Sequence, residues 1–294
     1  MNRIKNINNG VKYMLIASIL FAFMGAFAKL ASEHMPSLEV VFFRNVFGVL
    51  TIGYAVYKTP MIQRGGRPFL LFFRGFMGFS ALLAYFYNIA NISLGDAVTF
   101  SKTAPIFTAI FAWFFLREKL PLKAWMAVFI GFGGILLITQ PNLGFTKYDL
   151  LGIFSGIGAA LAYTSVRELQ KYYDTRTIVL SFTLTGTIGP IVLFVLSEYI
   201  HISSLDFMMG EFVMPQGIVW VYVLALGLLG TLSQIYMTKA YGETKAGIVG
   251  AVSYTNIVFA IMLGILLGDS LPSFLNLCGI TLIVLAGIMV AKAK

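Results

Sequence analysis

Ten apolar stretches fill this chain, at 11–31, 38–58, 67–90, 96–116, 122–140, 148–170, 176–198, 217–241, 244–268 and 272–292, each ending in a turn with a charge, Pro or Gly. A helix that crosses a bilayer needs roughly 20 apolar residues, because the hydrocarbon layer is about 30 Å thick and each residue rises about 1.5 Å. A β-barrel would instead alternate polar and apolar positions over strands of about 10 residues. Runs such as Phe107 to Leu116 and Ile257 to Leu267 do not alternate. Only 11% of the residues are charged, against roughly 25% in a soluble domain, so most of the surface must face lipid. The predicted fold class is an all-α integral membrane protein with ten transmembrane helices. The first stretch is of full spanning length without a clear small-residue cleavage site, and is expected to stay as the first helix. A single Cys278 excludes a disulfide framework.

The charges test the count. With the N-terminus in the cytoplasm, sixteen of the 21 basic residues gather on the cytoplasmic side: Arg3, Lys5, Lys12, Lys58, Arg64, Arg67, Arg117, Lys119, Lys123, Arg167, Lys171, Arg176, Lys239, Lys245, Lys292 and Lys294. Lys29 and Lys147 fall on the other side. The positive-inside rule then predicts a multi-pass protein of the cytoplasmic (inner) membrane with both termini in the cytoplasm. It also explains the net charge of +9 without a nucleic-acid partner. The longest connection, about 197–217, is predicted outside; it carries Glu198, His201, Asp206 and Glu211 but no Lys or Arg.

The halves resemble one another. At a shift of 151 residues, TAPIFTAI (Thr103 to Ile110) lies over YTNIVFAI (Tyr254 to Ile261), and Glu118-Lys119-Leu120-Pro121 falls on Asp269-Ser270-Leu271-Pro272. At a shift of 142, Gly10, Ala17 and Lys29 match Gly152, Ala159 and Lys171. Five spans per copy is an odd number, so the second copy enters the membrane from the opposite side. The predicted organisation is two inverted five-helix repeats, 1–146 and 147–294. Such repeats recur in secondary transporters, where two halves exchange conformations around a central site.

Three passages carry a resemblance to a known family. They are FFRGFMGFSALLAYFYNIANISLGDAVTFSKTAPIFTAIFAWFFLREKLP from Phe72, the following IGFGGILLI, and GIVGAVSYTNIVFAIMLGILLGDSLP from Gly247. Together they resemble the ten-helix EamA-type members of the drug/metabolite transporter superfamily over essentially the whole chain. The resemblance implies a cavity between the halves and alternating-access movement of a small metabolite. The family often has Pro where this chain has Asn256, so the resemblance does not carry over a kink there.

Charges inside a span are costly and usually face a cavity or another polar group. Arg44, Arg74 and Lys102 lie well inside the second, third and fourth spans, whereas Glu39, Asp96, Glu168 and Glu243 lie near helix ends. That excess of positive charge favours an organic anion, or a zwitterion held by its carboxylate, over a cation. The alternative for the arginines is snorkelling or helix pinning. Arg74, Gly78, Ala81, Tyr85 and Asn88 recur every three or four residues and form one stripe of the third span; the stripe reads as a cavity wall, or as a packing seam. Pro105 cannot donate to the Ser101 carbonyl and is the predicted hinge of the fourth span. Ser253, Tyr254 and Asn256 are its counterparts in the ninth, and Gln234 of the eighth span, with donors and an acceptor to satisfy, is placed on the cavity side.

The predicted substrate-binding set is therefore Arg44, Arg74, Tyr85, Asn88, Lys102, Gln234, Ser253, Tyr254 and Asn256. The expected partners are a small-molecule metabolite and membrane lipids, with the protein a monomer or homodimer. No cofactor or metal is implied. The alternatives are an exporter of amino acids or varied hydrophobic amphiphiles, and, from another class, a lipid-binding membrane scaffold. An enzyme is disfavoured, because His34 and His201 lie in outer loops and no nucleophile has an evident base.

Overall fold

The computed structural model describes residues 9–61, 65–117, 121–139, 146–199, 207–208 and 212–292. The N-terminal Arg3 and Lys5, the Glu118-Lys119-Leu120 part of the matched turn, and His201, Asp206 and Glu211 of the long connection lie outside the described residues. The described residues form twelve α-helices and no β-strand: α1 (Asn9–Ser32), α2 (Ser37–Lys58), α3 (Pro68–Asn91), α4 (Leu94–Ser101), α5 (Ala104–Leu116), α6 (Leu122–Thr139), α7 (Lys147–Leu169), α8 (Thr175–Ser197), α9 (Val219–Glu243), α10 (Ala246–Val252), α11 (Thr255–Leu266) and α12 (Phe274–Lys292). Taking α4 with α5 and α10 with α11, eight helical segments are long and apolar enough to cross a membrane, and two shorter apolar helices complete ten. The expected all-helical membrane architecture is present. Large apolar side chains point outward along the helices, among them Phe72, Phe76, Phe114, Phe129, Ile188, Val192 and Leu277, and fit a surface bathed in lipid.

The fourth and ninth spans are each broken, and the breaks fall in the same register. Lys102 and Thr103 separate α4 from α5; Ser253 and Tyr254, 151 positions on, separate α10 from α11. Pro105 is the anticipated cause of the first break. No proline stands at the second, yet the helix breaks there too. The two sites share side-chain hydroxyls that turn back onto the chain: Thr103 Oγ1 donates to the Phe100 carbonyl at 2.9 Å, Ser253 Oγ to Gly250 at 2.7 Å and Thr255 Oγ1 to Val252 at 2.9 Å. Such bonds compete with the backbone donors for helix carbonyls. The hydroxyls can thus open the ninth span where the proline is missing.

Helix packing comes in matched pairs. α1 packs on α9 as α3 packs on α7; α2 packs on α9 as α3 packs on α8; α1 packs on α11 as α7 packs on α5. α2 and α8 pack on each other, as do α6 and α12. Arginines tie one end of the bundle by capping helix C-termini, where carbonyls lack partners and the macrodipole favours cations. Arg167 donates to the carbonyls of Tyr241 (2.9 Å) and Gly242 (2.8 Å), and Arg176 to that of Thr59 (2.7 Å). Arg67 stacks on the Tyr172 ring at the same end.

At the opposite end, Glu39 lies where the sequence places it. It occupies the first turn of α2, as a helix-end residue should, but it is fully buried. One carboxylate oxygen accepts the Val213 N–H of the stretch leading into α9, and the other has no partner among the described residues.

Candidate binding cavity

A narrow cavity of about 60 Å³ lies between the helices. It is lined by Phe21 and Met24 of α1, the Arg74, Gly78, Ala81, Leu82 and Tyr85 face of α3, Ser101 and Lys102 at the end of α4, Ser155, Ala159, Ala162 and Tyr163 of α7, Phe182 of α8, Gln234 of α9 and Asn256 of α11.

Arg74 is 1% exposed. Its Nη2 donates to Gln234 Oε1 at 3.0 Å, and its guanidinium carbon lies 4.8 Å from the centroid of the Phe182 ring. Its Nε–H is buried without a partner. A Cβ on Gly78 would stand 2.4 Å from Arg74 Nη1 and 2.8 Å from Phe182 Cδ2. Glycine one turn along α3 therefore leaves the notch in which the guanidinium lies. Lys102 lines the same cavity at the C-cap of α4, where the last carbonyls of that helix favour a cation. Among the described residues neither cation forms an ion pair. Ion pairs at Lys29–Asp269, Lys171–Glu168 and Arg176–Asp174 lie near helix ends.

Arg44 is equally buried but does not line the cavity. Its Nη1 donates to Asn45 Oδ1 at 2.7 Å and its Nη2 to the Gly230 carbonyl at 2.8 Å. Its guanidinium carbon also lies 4.8 Å from the Phe182 centroid, so two cations share one ring. A Cβ on Gly230 would stand 2.7 Å from Arg44 Nε. These contacts give Arg44 the helix-pinning part weighed in the sequence, joining α2, α8 and α9.

The remaining predicted residues divide. Tyr85, Gln234 and Asn256 line the cavity with Arg74 and Lys102. Asn256 Nδ2 also donates to the Ser18 carbonyl at 2.8 Å, joining α11 to α1. Asn88 lies beyond the cavity and donates to the Tyr148 carbonyl at 3.0 Å, joining α3 to α7. Ser253 turns back on Gly250, and the Tyr254 ring packs on Gly131, whose Cβ would meet it at 3.1 Å. Sequence reasoning missed Tyr163, Phe182 and Ser155. Ser155, Ala159 and Tyr163 recur every four residues of α7, the periodicity that drew attention to α3; Phe182 has no comparable signal in an apolar helix.

A bundle of apolar spanning helices around a polar, cation-bearing interior is the architecture of a multi-pass membrane protein. The chain belongs to the EamA-like transporter family, whose pattern matches residues 8–140 and again 146–292. It is 34% identical to an uncharacterised transporter of Helicobacter pylori strain J99, over 96% of this chain and 94% of that one. It is 32% identical to the pseudopaline exporter of Pseudomonas aeruginosa, over 98% of each, and 21% identical to the S-adenosylmethionine uptake transporter of Rickettsia prowazekii, over 99% and 95%. A solved protein structure superposes with a TM-score of 0.70 at 17% identity, covering 95% of this chain and 96% of that one, and shares the fold. The family is one of transporters, not enzymes.

Proposed function

We propose that the protein is a secondary transporter that carries a small organic anion, or a zwitterion held by its carboxylate, across the cytoplasmic membrane. Segments 1–146 and 147–294 act as inverted halves that alternate access to the cavity, with both termini in the cytoplasm. The observation that carries the substrate class is the pairing of Arg74 and Lys102 on one cavity with no carboxylate among its described lining residues. Arg74 lines the cavity, and a guanidinium binds carboxylate with directed, charge-assisted hydrogen bonds. The matched helix pairs, the registered breaks and the basic end of the bundle support the inverted halves and their orientation. With no acid among the described lining residues, facilitated diffusion or exchange fits better than proton antiport through a cavity carboxylate.

A second reading is export of amino acids or varied hydrophobic amphiphiles. It draws on the apolar and aromatic wall of Phe21, Met24, Leu82, Tyr85, Tyr163 and Phe182. Relatives named as an exporter and as an uptake transporter both match, so direction does not follow from family membership.

A thermal-shift screen of purified protein separates the two, because a ligand bound only by the folded state raises apparent stability with its concentration over Kd. Shifts confined to carboxylates or phosphates, and lost in Arg74→Met/Lys102→Met, are expected. Shifts led by neutral or cationic compounds would overturn the anion reading.

A further inference from the structure

At the end of the bundle opposite the arginine caps, Asp269 binds three elements together. α11 ends at Leu266 with Leu267 as its C-cap, and Gly268 follows in the left-handed region (φ 97°), so that the Asp269 N–H returns to the Gly264 carbonyl at 2.9 Å. This reversal swings the carboxylate back across the helix end. A Cβ on Gly264 would stand 2.5 Å from Asp269 Oδ2, so a side chain there would displace the carboxylate. Oδ1 pairs with the ammonium of Lys29 in the last turn of α1, and Oδ2 accepts the Leu94 N–H, the first residue of α4, at 3.1 Å. The pair is largely shielded, with side chains 19% and 16% exposed, and so is less screened than a surface pair.

Helix α4 connects this junction to the cavity. Its eight residues span about 12 Å at about 1.5 Å per residue, with Leu94 at one end and Lys102 capping the other. Ser93 fixes the start further, accepting the Asp96 N–H at 3.1 Å. The break at Lys102 and Thr103 frees α4 from α5, so the short helix can shift as a rigid unit without carrying the rest of its span.

We propose that Asp269 is a positioning residue for Lys102 and the latch that closes this end of the cavity, acting through α4 as a lever. With Lys29 and Leu94 engaged, the ends of α1, α4 and α11 are held together and Lys102 is held at the cavity wall. Releasing Asp269 frees the start of α4, parts these ends and moves Lys102. By linkage, an anion that binds Lys102 more tightly in one position of α4 biases the latch by the same factor. The identification of this end as the outer one rests on the proposed orientation; the latch itself does not depend on the substrate class.

The test uses the full-length chain in intact cells, with Cys278→Ser and Ser101→Cys placing one thiol on the cavity wall beside Lys102. A membrane-impermeant maleimide is added outside, and labelling is normalised to protein that elutes as a single folded species after detergent extraction. Slow labelling is expected with the latch intact. Asp269→Ala, which removes both contacts, is expected to speed it about fivefold or more, the lower range of site-to-site coupling. Lys29→Met, which leaves the Leu94 bond, should give a smaller rise, and Lys29→Arg should stay slow. If Asp269→Ala does not fold, Asp269→Asn replaces it. Labelling unchanged from both faces of the membrane in the Asp269 variant and Lys29→Met, or a rise in Lys29→Arg equal to that in Lys29→Met, would overturn the proposal. The same reagent applied to inverted vesicles separates orientation from latch: acceleration seen only there keeps the latch and overturns the proposed topology.

Discussion

Arg74 on α3 and Gln234 on α9 meet at 3.0 Å across the cavity wall, so a residue from each half of the chain holds the same hydrogen-bonded position. Gln234 contributes only a neutral acceptor, which orients the guanidinium without cancelling its charge. Arg44 presents the contrast: the same side chain, equally buried, spends its Nη donors on Asn45 and the Gly230 carbonyl.

The two arginines should separate in experiment. Arg74→Met is expected to weaken binding of a carboxylate ligand about ten- to a hundredfold, the loss of roughly 1.5–3 kcal/mol from a charged hydrogen bond. Arg44→Met should leave affinity nearly unchanged but lower the melting temperature, since it strips the Gly230 carbonyl of a buried donor at a cost of about 1–3 kcal/mol. Ligand titration and thermal melting of both variants check this.

The glycine notches give a second contrast. Gly230→Ala and Gly78→Ala each drive a Cβ into a guanidinium pinned by hydrogen bonds and the Phe182 ring, and overpacking of this kind costs about 1–3 kcal/mol. Both variants should melt earlier. Only Gly78→Ala should also weaken anion binding, because only it dislodges Arg74.

Asp174, which caps α8, should make stability depend on acid. Partial burial pushes its carboxyl up, but hydrogen bonds from the Arg176 side chain and backbone, with the Arg176 charge, outweigh burial and hold it below the ordinary aspartate range. Its contribution is therefore fully present above about pH 4, the ordinary aspartate value. It is lost as pH falls through the lower folded-state value. Asp174→Ala should cost about 1 kcal/mol at neutral pH, as loss of a helix cap does, and should flatten the acid limb of a plot of melting temperature against pH.

Asn256→Pro places a proline at the second break in the register of Pro105 at the first. The break should survive, but the bonds from Asn256 Nδ2 to Ser18 and from its N–H to Ser253 are lost. A net destabilisation of about 1–3 kcal/mol is expected, read by thermal melting.

Much of this molecule was legible because lipid imposes a simple code. Span length, the clustering of Arg67, Arg167 and Arg176 at one end, and the small-polar stripe of α3 all follow from one-dimensional patterns. The stripe placed Arg74, Gly78, Ala81 and Tyr85 on the cavity but overshot at Asn88, because a helix face continues past the end of the space it borders. What stayed hidden depends on neighbours remote in sequence. Arg44 and Arg74 read alike until the Gly230 carbonyl meets one and Gln234 the other. Glu39 reads only as a helix end, and the Val213 N–H that it accepts comes from a stretch remote in sequence. Pro105 announced its break, whereas Ser253 and Thr255 open the ninth span through hydroxyl groups that elsewhere sit quietly in helices.

The two breaks match in position but not in charge: where α4 ends on Lys102, α10 ends on Ser253. An exchange of conformations between the halves would therefore displace a positive charge on one side with no equal charge moving back on the other. Moving one elementary charge across the full width of a membrane held at 100 mV is worth about 2.3 kcal/mol, and a partial displacement is worth a proportionate fraction. The resting potential of the cell would favour one orientation of the unloaded carrier, and an anion riding on Lys102 would cancel that bias.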